Sequence, residues 1–174
     1  GLGGDDVITG NGNTRLGYFN ATAGVTVTFT GAGTGTADGN SSVGHDTFTG
    51  ANGAQGSNFN DVLNGSNANE ALIGGAGDDA LNGGGGSDTI TGSAGNDAID
   101  GGAGADIAVF TGPRSGYTIN FNTPGAGQTQ IQDNTANRDG TDTLTGVEIL
   151  QFNDAYYVIA SGTSGSPINL TGLG

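Results

Sequence analysis

A single apolar residue recurs every nine residues between Gly56 and Phe110, with mostly polar or small residues on both sides of it. One apolar side chain between two outward-facing neighbours is typical of a short strand that buries one face. The pattern predicts six such strands, each with its inward residue at position eight of a nine-residue unit. These inward residues are Leu63, Leu72, Leu81, Ile90, Ile99 and Ala108.

The first six positions of each unit predict a turn. Glycine is common at positions one, two and four, where it permits positive φ and lets the backbone approach a ligand closely. An acid occupies position six in every unit, immediately before the strand. The acids are Asp61, Glu70, Asp79, Asp88, Asp97 and Asp106.

A coil of two units per turn places units 18 residues apart side by side, at the spacing of about 4.8 Å between paired strands. The predicted fold class is therefore all-β: a parallel β-roll, right-handed and β-helix-like, with flanking antiparallel strands. No segment shows helical periodicity, so almost no helix is expected. The acids should form two columns, one of Asp61, Asp79 and Asp97, the other of Glu70, Asp88 and Asp106.

The period is incomplete before Gly56. Residues 1–9 are a single copy with Asp6 and Ile8 at positions six and eight, but no phased partner is apparent for it. Residues 19–55 are predicted to be an insertion. It contains a strand at Val25–Thr30, a loop at Gly31–Gly44 and one short strand near Thr47–Thr49.

After Phe110 the glycines give way to larger apolar residues. Tyr117–Phe121 and Gln128–Gln132 predict an antiparallel pair, and Val147–Phe152 with Ala155–Ile159 predict a hairpin. Ser161–Pro167 is typical of a linker. We therefore divide the chain into a partial repeat with an insertion (1–55), a roll of nine-residue units (56–110), a β flank (111–160) and a linker (161–174).

Charge identifies the ligand class. The 17 acids face only three arginines, giving a net charge of −14, and there is no cysteine. This balance excludes nucleic-acid binding through phosphate neutralisation and disfavours anionic membranes. Carboxylates stacked at roughly 5 Å repel by about 3 kcal/mol at an effective dielectric constant of about 20. Calcium between successive turns would reverse that repulsion, so folding should depend on Ca²⁺, with about four or more ions.

These units resemble the Gly-Gly-x-Gly-x-Asp-x-apolar-x repeat of the RTX family, most closely over residues 74–109. Residues 139–154 also resemble segments that follow RTX blocks. The resemblance implies a parallel β-roll, calcium-triggered folding outside the cell and export by type I secretion. By analogy, the acids at position six supply side-chain ligands, with Glu70 a departure in length and Asp6 a ligand only if a neighbouring module completes its site. The backbone ligands implied at positions one, three and five are Gly74, Ala76, Asp78, Gly83, Gly85, Ser87, Gly92, Ala94, Asn96, Gly101 and Ala103.

No catalytic constellation is expected. His45 is the only histidine and has no second ligand nearby in the sequence. Asp142 and Glu148 could form an acid pair, but both are predicted to lie in a structural flank. The serines and threonines lack a recognisable general base. The sequence therefore predicts a protein that is not an enzyme.

The first functional hypothesis is a calcium-dependent structural module of a secreted, cell-surface protein such as an adhesin, a surface layer or a filament. The ending Leu170–Gly174 is similar to the beginning Gly1–Asp5, which favours a tandem array. Its partners would be calcium and other copies of itself or neighbouring modules, with no nucleic acid and no membrane insertion. The alternatives are a folding, secretion or polysaccharide-contacting module of a secreted enzyme, and a pure secretion signal.

Overall fold

The computed structural model describes residues 3–121 and 128–159, together with the backbone of Ile168–Asn169. Apart from one 3₁₀ turn at Arg114–Gly116, its regular elements are strands, which confirms the all-β prediction. None of the described segments forms a helix with the length and hydropathy needed to cross a membrane. The strands are β1 (Val7–Gly17), β2 (Thr26–Gly31), β3 (Thr34–Asp38), β4 (His45–Gln55), β5 (Val62–Asn64), β6 (Ala71–Ala76), β7 (Ala80–Asn82), β8 (Gly85–Gly86), β9 (Thr89–Ala94), β10 (Ala98–Asp100), β11 (Ala103–Gly104), β12 (Ile107–Val109), β13 (Tyr117–Phe121), β14 (Thr129–Asp133), β15 (Thr141–Thr145), β16 (Ile149–Gln151), β17 (Tyr156–Val158) and β18 (Ile168–Asn169).

Two parallel faces form the roll, and alternate repeat units contribute to each. On the first face β5, β7, β10 and β15 pair in that order, and on the second β6, β9, β12 and β16 do so. Leu63 lies beside Leu81, which lies beside Ile99. This is the register of 18 residues that the repeat predicts, and the parallel β-roll is confirmed.

The core lies between the two faces and consists largely of the residues at position eight. All six are at most 3% exposed. At its C-terminal end the core continues into an aromatic cluster in which Phe110, Tyr117 and Phe152 pack ring against ring. The roll and its flank therefore share one continuous hydrophobic core.

At the N-terminal end, antiparallel strands β2, β3 and β4 join the two faces into one sheet. The prediction of a loop over Gly31–Gly44 was wrong because β3 lies within it. The inward residues of β3 are Gly35 and Ala37, both buried, and a side chain on Gly35 would collide with the ring of Phe48. Such small residues leave no hydrophobic alternation in the sequence. The strand predicted near Thr47–Thr49 is the eleven-residue β4.

At the C-terminal end, the two predicted antiparallel pairs are confirmed as β13 with β14 and β16 with β17. The sequence did not predict β15, which pairs with β14 on one side and runs parallel to β10 on the other. The segment between β13 and β14, residues 122–127, lies outside the described residues. So does most of the predicted linker, although Ile168–Asn169 pairs with β17.

Packing in the core should respond to the loss of a single methylene group. Ile90 is fully buried at position eight, whereas Ile73 faces outward at position nine and is half-buried. We expect Ile90→Val to lower the free energy of unfolding by about 0.5–1.5 kcal/mol, measured by denaturant titration in calcium. Ile73→Val is the matched control and should lower it less. Equal effects would contradict the inward direction of position eight.

Candidate metal centre

All six acids at position six are buried, although the residue immediately before each of them is exposed. Their side chains point back beneath the turn because position eight, two residues later, also faces inward. Their exposed fractions are at most 4%. Six carboxylates buried in this way require compensating positive charge or hydrogen bonds. They are Asp61, Glu70, Asp79, Asp88, Asp97 and Asp106.

Hydrogen bonds stack these acids in the two predicted columns. The backbone N–H of Asp61 donates to Oδ1 of Asp79 (2.8 Å), and that of Asp79 donates to Oδ1 of Asp97 (2.8 Å). In the second column the N–H of Asp88 donates to Oδ1 of Asp106 (2.8 Å), and the N–H of Glu70 donates to Oδ1 of Asp88 (2.7 Å). Each of these bonds joins residues 18 apart in the sequence. We call these two series of hydrogen bonds the ladder. It uses only one oxygen of each accepting carboxylate.

The second carboxylate oxygen is unpartnered in four of the six acids. Oδ2 of Asp79, Asp88, Asp97 and Asp106 is inaccessible to solvent and has no hydrogen-bond partner. A buried charged oxygen without a partner is destabilising by more than the roughly 1–3 kcal/mol of a neutral group. Four such atoms at equivalent positions of the repeat fit a bound cation, and an all-oxygen environment favours calcium.

A main-chain carbonyl lies close to this oxygen in Asp79 and in Asp88. A side chain on Gly74 would collide with both Oδ2 of Asp79 and the carbonyl oxygen of Gly92, so these two oxygens converge where glycine leaves room. Gly83 brings Oδ2 of Asp88 and the carbonyl of Gly101 together in the same way. This arrangement explains why position one is glycine.

Carboxylates alone do not complete a site. Among the described residues, no three Asp, Glu, His or Cys side chains come together as a metal cluster. Calcium takes about six to eight oxygen ligands, so main-chain carbonyls must supply most of them. The geometry favours the carbonyls at position one. Those at positions three and five stay predictions, and the carbonyl of Ala94 also accepts the N–H of Gly77 at 2.9 Å.

Burial shifts the ionisation of these acids. It raises the pKa of Asp79 to about 7 and those of Asp88 and Asp97 to about 6, and it raises the pKa of Asp106 as well. Neighbouring carboxylates add to this effect, while the ladder hydrogen bonds oppose it. Without metal, the columns are therefore easier to protonate than exposed aspartates.

A pH dependence opposite to that of most carboxylate-rich proteins follows. An unfolded aspartate has a pKa of about 3.9, so the metal-free folded chain binds more protons than the unfolded chain above that pH. Its stability is highest below about pH 4 and falls as the pH rises through about 6 to 7. In EDTA we expect circular dichroism to show more folded chain at about pH 5 than at about pH 7.5. Calcium competes with these protons, so its apparent affinity should rise over the same range. A metal-free chain that gains structure with rising pH would contradict the buried columns.

Two acids missed in the sequence extend the columns. Asp97 N–H donates to Oδ1 of Asp142 (2.9 Å), and Asp106 N–H donates to Oε2 of Glu148 (2.9 Å). Burial raises the pKa of Asp142 to about 8. The available signal was the spacing of Asp142 to Leu144 and of Glu148 to Leu150, which matches positions six and eight without the glycines. Both acids lie in the predicted flank, yet they continue the ladder.

The N-terminal copy also has a partner within the chain. Asp6 N–H donates to Oδ1 of Asp46 (3.0 Å), and His45 N–H donates to Oδ1 of Asp5 (2.9 Å). The expectation that residues 1–9 lack a phased partner was therefore wrong, because residues 41–49 form a degenerate unit beside them. His45 contacts Asp38 through its ring, at an exposed position.

A second ladder runs along the exposed turns. The side chain of Asn60 accepts the N–H of Asp78 (3.0 Å), and that of Asp78 accepts the N–H of Asn96 (2.8 Å). Asn96 in turn accepts the N–H of Thr141 (3.1 Å). The side chain at position five thus accepts an N–H from the following turn of the same face. The side chain at position six instead accepts an N–H from the preceding turn.

Comparison with known proteins agrees with this geometry. A family model described as "RTX calcium-binding nonapeptide repeat (4 copies)" matches residues 46–81, 55–90 and 73–108. The matched region contains all six acids of the two columns and ends before Asp142 and Glu148. It begins at Asp46, the acid that meets Asp6.

A comparison with solved structures matches the chain to one titled "Crystal structure of extracellular lipase LipA from Serratia marcescens". The match has a TM-score of 0.33 and 17% sequence identity, and it covers 63% of this chain. The chain spans 17% of that lipase's length. No curated protein sequence matches the chain significantly.

Proposed function

We propose that this chain, whose residues 46–108 are RTX calcium-binding nonapeptide repeats, is a calcium-dependent structural module of a secreted cell-surface protein. The observation that supports it best is the set of four buried, unpartnered carboxylate oxygens in the phase of the repeat. Calcium binding by RTX repeats is a property of the family. The secreted, surface-associated role is our inference.

The proposed ligands combine one side chain and one carbonyl at each site. Oδ2 of Asp79 would act with the carbonyl of Gly92, and Oδ2 of Asp88 with that of Gly101. Oδ2 of Asp97 and Asp106 would start two further sites next to Asp142 and Glu148. A bound ion supplies positive charge between successive turns, and the glycines leave the room for it. About four ions result.

Dependence on calcium suits a protein that folds after export. Extracellular modules bind calcium with dissociation constants of about 10⁻⁴–10⁻³ M, so such sites stay empty at cytosolic calcium levels and fill outside the cell. The chain would therefore remain unfolded during type I secretion and fold extracellularly. In this proposal residues 56–110 form the calcium-binding roll, and residues 1–55 and 111–160 close its two ends.

The distribution of cations favours a structural role over contact with an anionic polysaccharide. Arg138 forms a two-point contact with Asp133. Arg114 stacks over Phe152 and Tyr157. Two of the three arginines are thus engaged in the flank, which leaves Arg15 as the exposed one. A module of a secreted enzyme that contacts polysaccharide is the second candidate.

Two measurements on the full chain test this function. Isothermal titration of the EDTA-stripped chain with CaCl₂ should show about four ions, and a chain that binds none would refute the calcium module. Sedimentation velocity in CaCl₂ should show concentration-dependent association if copies assemble end to end. A strict monomer that binds alginate beads in calcium would instead support the enzyme-linked module.

A further inference from the structure

The first acid of each column differs from the two that follow it in the roll, because hydrogen bonds already satisfy its carboxylate. Asp61 accepts the N–H of Ser57 (2.5 Å) at Oδ2 and the N–H of Val25 (2.6 Å) at Oδ1. The hydroxyl of Ser57 lies 2.9 Å from Oδ1 and 3.1 Å from Oδ2. In the second column, Ser66 donates its N–H to Oε2 of Glu70 (3.0 Å) and its hydroxyl to Oε1 (2.6 Å).

The two serines occupy position two of their units, and their backbone differs from that of the later units. At position two the later units have positive φ: +127° at Gly75, +92° at Gly84 and +92° at Gly102. Among the described non-glycine residues, only Ser93 and Asn137 have positive φ. Ser57 and Ser66 therefore have ordinary negative φ, and their N–H groups turn onto the acid of their own unit.

Ser93 separates the effect of the backbone from that of the side chain. It is also a serine at position two, but its φ is +76°. The acid of its unit, Asp97, keeps an unpartnered Oδ2. A hydroxyl at position two is thus not enough to satisfy the acid. The closed arrangement requires the negative φ of Ser57 and Ser66.

The position of these acids at the end of a column also explains why hydrogen-bond donors, and not a metal ion, satisfy them. The N–H that Asp61 accepts at Oδ1 comes from Val25, so the turn before it offers no carboxylate. A calcium ion there would have only one neighbouring acid, Asp79, instead of one on each side. Neutral donors are the better partners where the second carboxylate is missing, because they add no uncompensated positive charge.

We propose that Ser57 and Ser66 close the first site of each column to calcium, so that the calcium sites begin at Asp79 and Asp88. This inference rests on the proposed calcium-binding function. Serine with negative φ replaces the metal at one end of the roll, and the turns at 56–61 and 65–70 are held by hydrogen bonds alone. The backbone conformation at position two thereby selects which acids of the repeat bind calcium.

Calcium stoichiometry by isothermal titration tests the proposal. Glycine in place of serine permits the positive φ of the later units, so Ser57→Gly and Ser66→Gly should each bind one more ion than the wild type. Ser93→Gly, the matched control, should bind the wild-type number. An unchanged number in both Ser57→Gly and Ser66→Gly, with native circular dichroism, would overturn the inference. A wild-type chain that binds no calcium would instead refute the proposed function.

A second pair of variants decides the question if the glycine variants fail to fold. Asp61→Asn removes the charge but keeps one of the two acceptor oxygens, and it should bind as many ions as the wild type. Asp79→Asn removes the charge of an open site and should bind one ion fewer. Loss of an ion in Asp61→Asn as well would show that the first site is open to calcium.

Discussion

In EDTA at about pH 7.5 the chain is expected to lose most of its β-structure, and about 5 mM calcium should restore it. Four ionised carboxylates would otherwise stand buried in two columns, each with an oxygen that has no partner. Neighbouring charges at strand spacing repel by about 3 kcal/mol at an effective dielectric constant of about 20. That is a large fraction of the roughly 5–15 kcal/mol by which a domain is stable.

Calcium reverses this balance through mass action. At about 5 mM and a dissociation constant of about 10⁻⁴ M, each site stabilises the folded chain by about 2 kcal/mol, and four sites together by about 9 kcal/mol. Far-UV circular dichroism during a CaCl₂ titration measures the transition, which should be cooperative because each shared turn contacts two sites.

Magnesium is the matched control for this transition. Mg²⁺ has the same charge but requires near-octahedral geometry at about 2.0–2.1 Å and loses its water reluctantly. A site built from carbonyls and one oxygen per carboxylate should not meet that demand, so the same concentration of MgCl₂ should leave the chain unfolded. Identical spectra in EDTA, magnesium and calcium would show that the columns do not control folding.

The sequence alone predicted those parts of the fold in which a fixed spacing along the chain also determines which strands pair. The nine-residue period requires that residues such as Leu63, Leu81 and Ile99 become neighbours, and the columns of acids follow from the same arithmetic. Each unit repeats both the turn and the strand, so one local pattern determines the pairing throughout the roll.

Where the partners are far apart in the chain, the nine-residue period does not predict which residues meet. Asp142 meets Asp97 across an excursion of 45 residues, which contains the antiparallel pair β13 and β14. Its only local signal is the two-residue spacing to Leu144, which lacks the glycines of the repeat. Strand β3 was missed for another reason. Its inward residues, Gly35 and Ala37, are too small to show apolar alternation, and Gly35 leaves room for the ring of Phe48.

The closed sites at Ser57 and Ser66 depend on a backbone angle. Ser57, Ser66 and Ser93 are the same residue at the same position of the repeat, yet only the first two have negative φ. The residue at position four follows the same division: it is Phe59 or Ala68 in the closed units and Gly95 in the open one. Gly95 has a φ of +149°, a conformation that Phe and Ala rarely adopt.

Replacement of Asp142 is expected to have the second-largest effect, because this residue joins the flank to the roll. Its side chain is 1% exposed, and it accepts the N–H of Asp97 beneath β15. Asp142→Ala leaves that N–H unpartnered, at about 1–3 kcal/mol, and removes a carboxylate from the last site of the first column. In calcium we expect a loss of about 2–4 kcal/mol in the free energy of unfolding, measured by denaturant titration, and one fewer bound ion by isothermal titration.

Asp142→Asn distinguishes a metal ligand from a structural hydrogen-bond acceptor. The amide oxygen still accepts the N–H of Asp97, so only the charge is lost. In calcium the variant should be less stable, because the ion loses a counter-charge. In EDTA at about pH 5, where the metal-free chain retains most structure, it should be about as stable as the wild type, because burial raises the pKa of Asp142 to about 8 and the wild-type side chain is already uncharged there. Asp100→Asn, on the exposed face of the neighbouring strand β10, should change stability by less than about 0.5 kcal/mol in both conditions. An equal loss for Asp142→Asn with and without calcium would mean that Asp142 serves only as an acceptor, and that the first column of calcium sites ends before the flank.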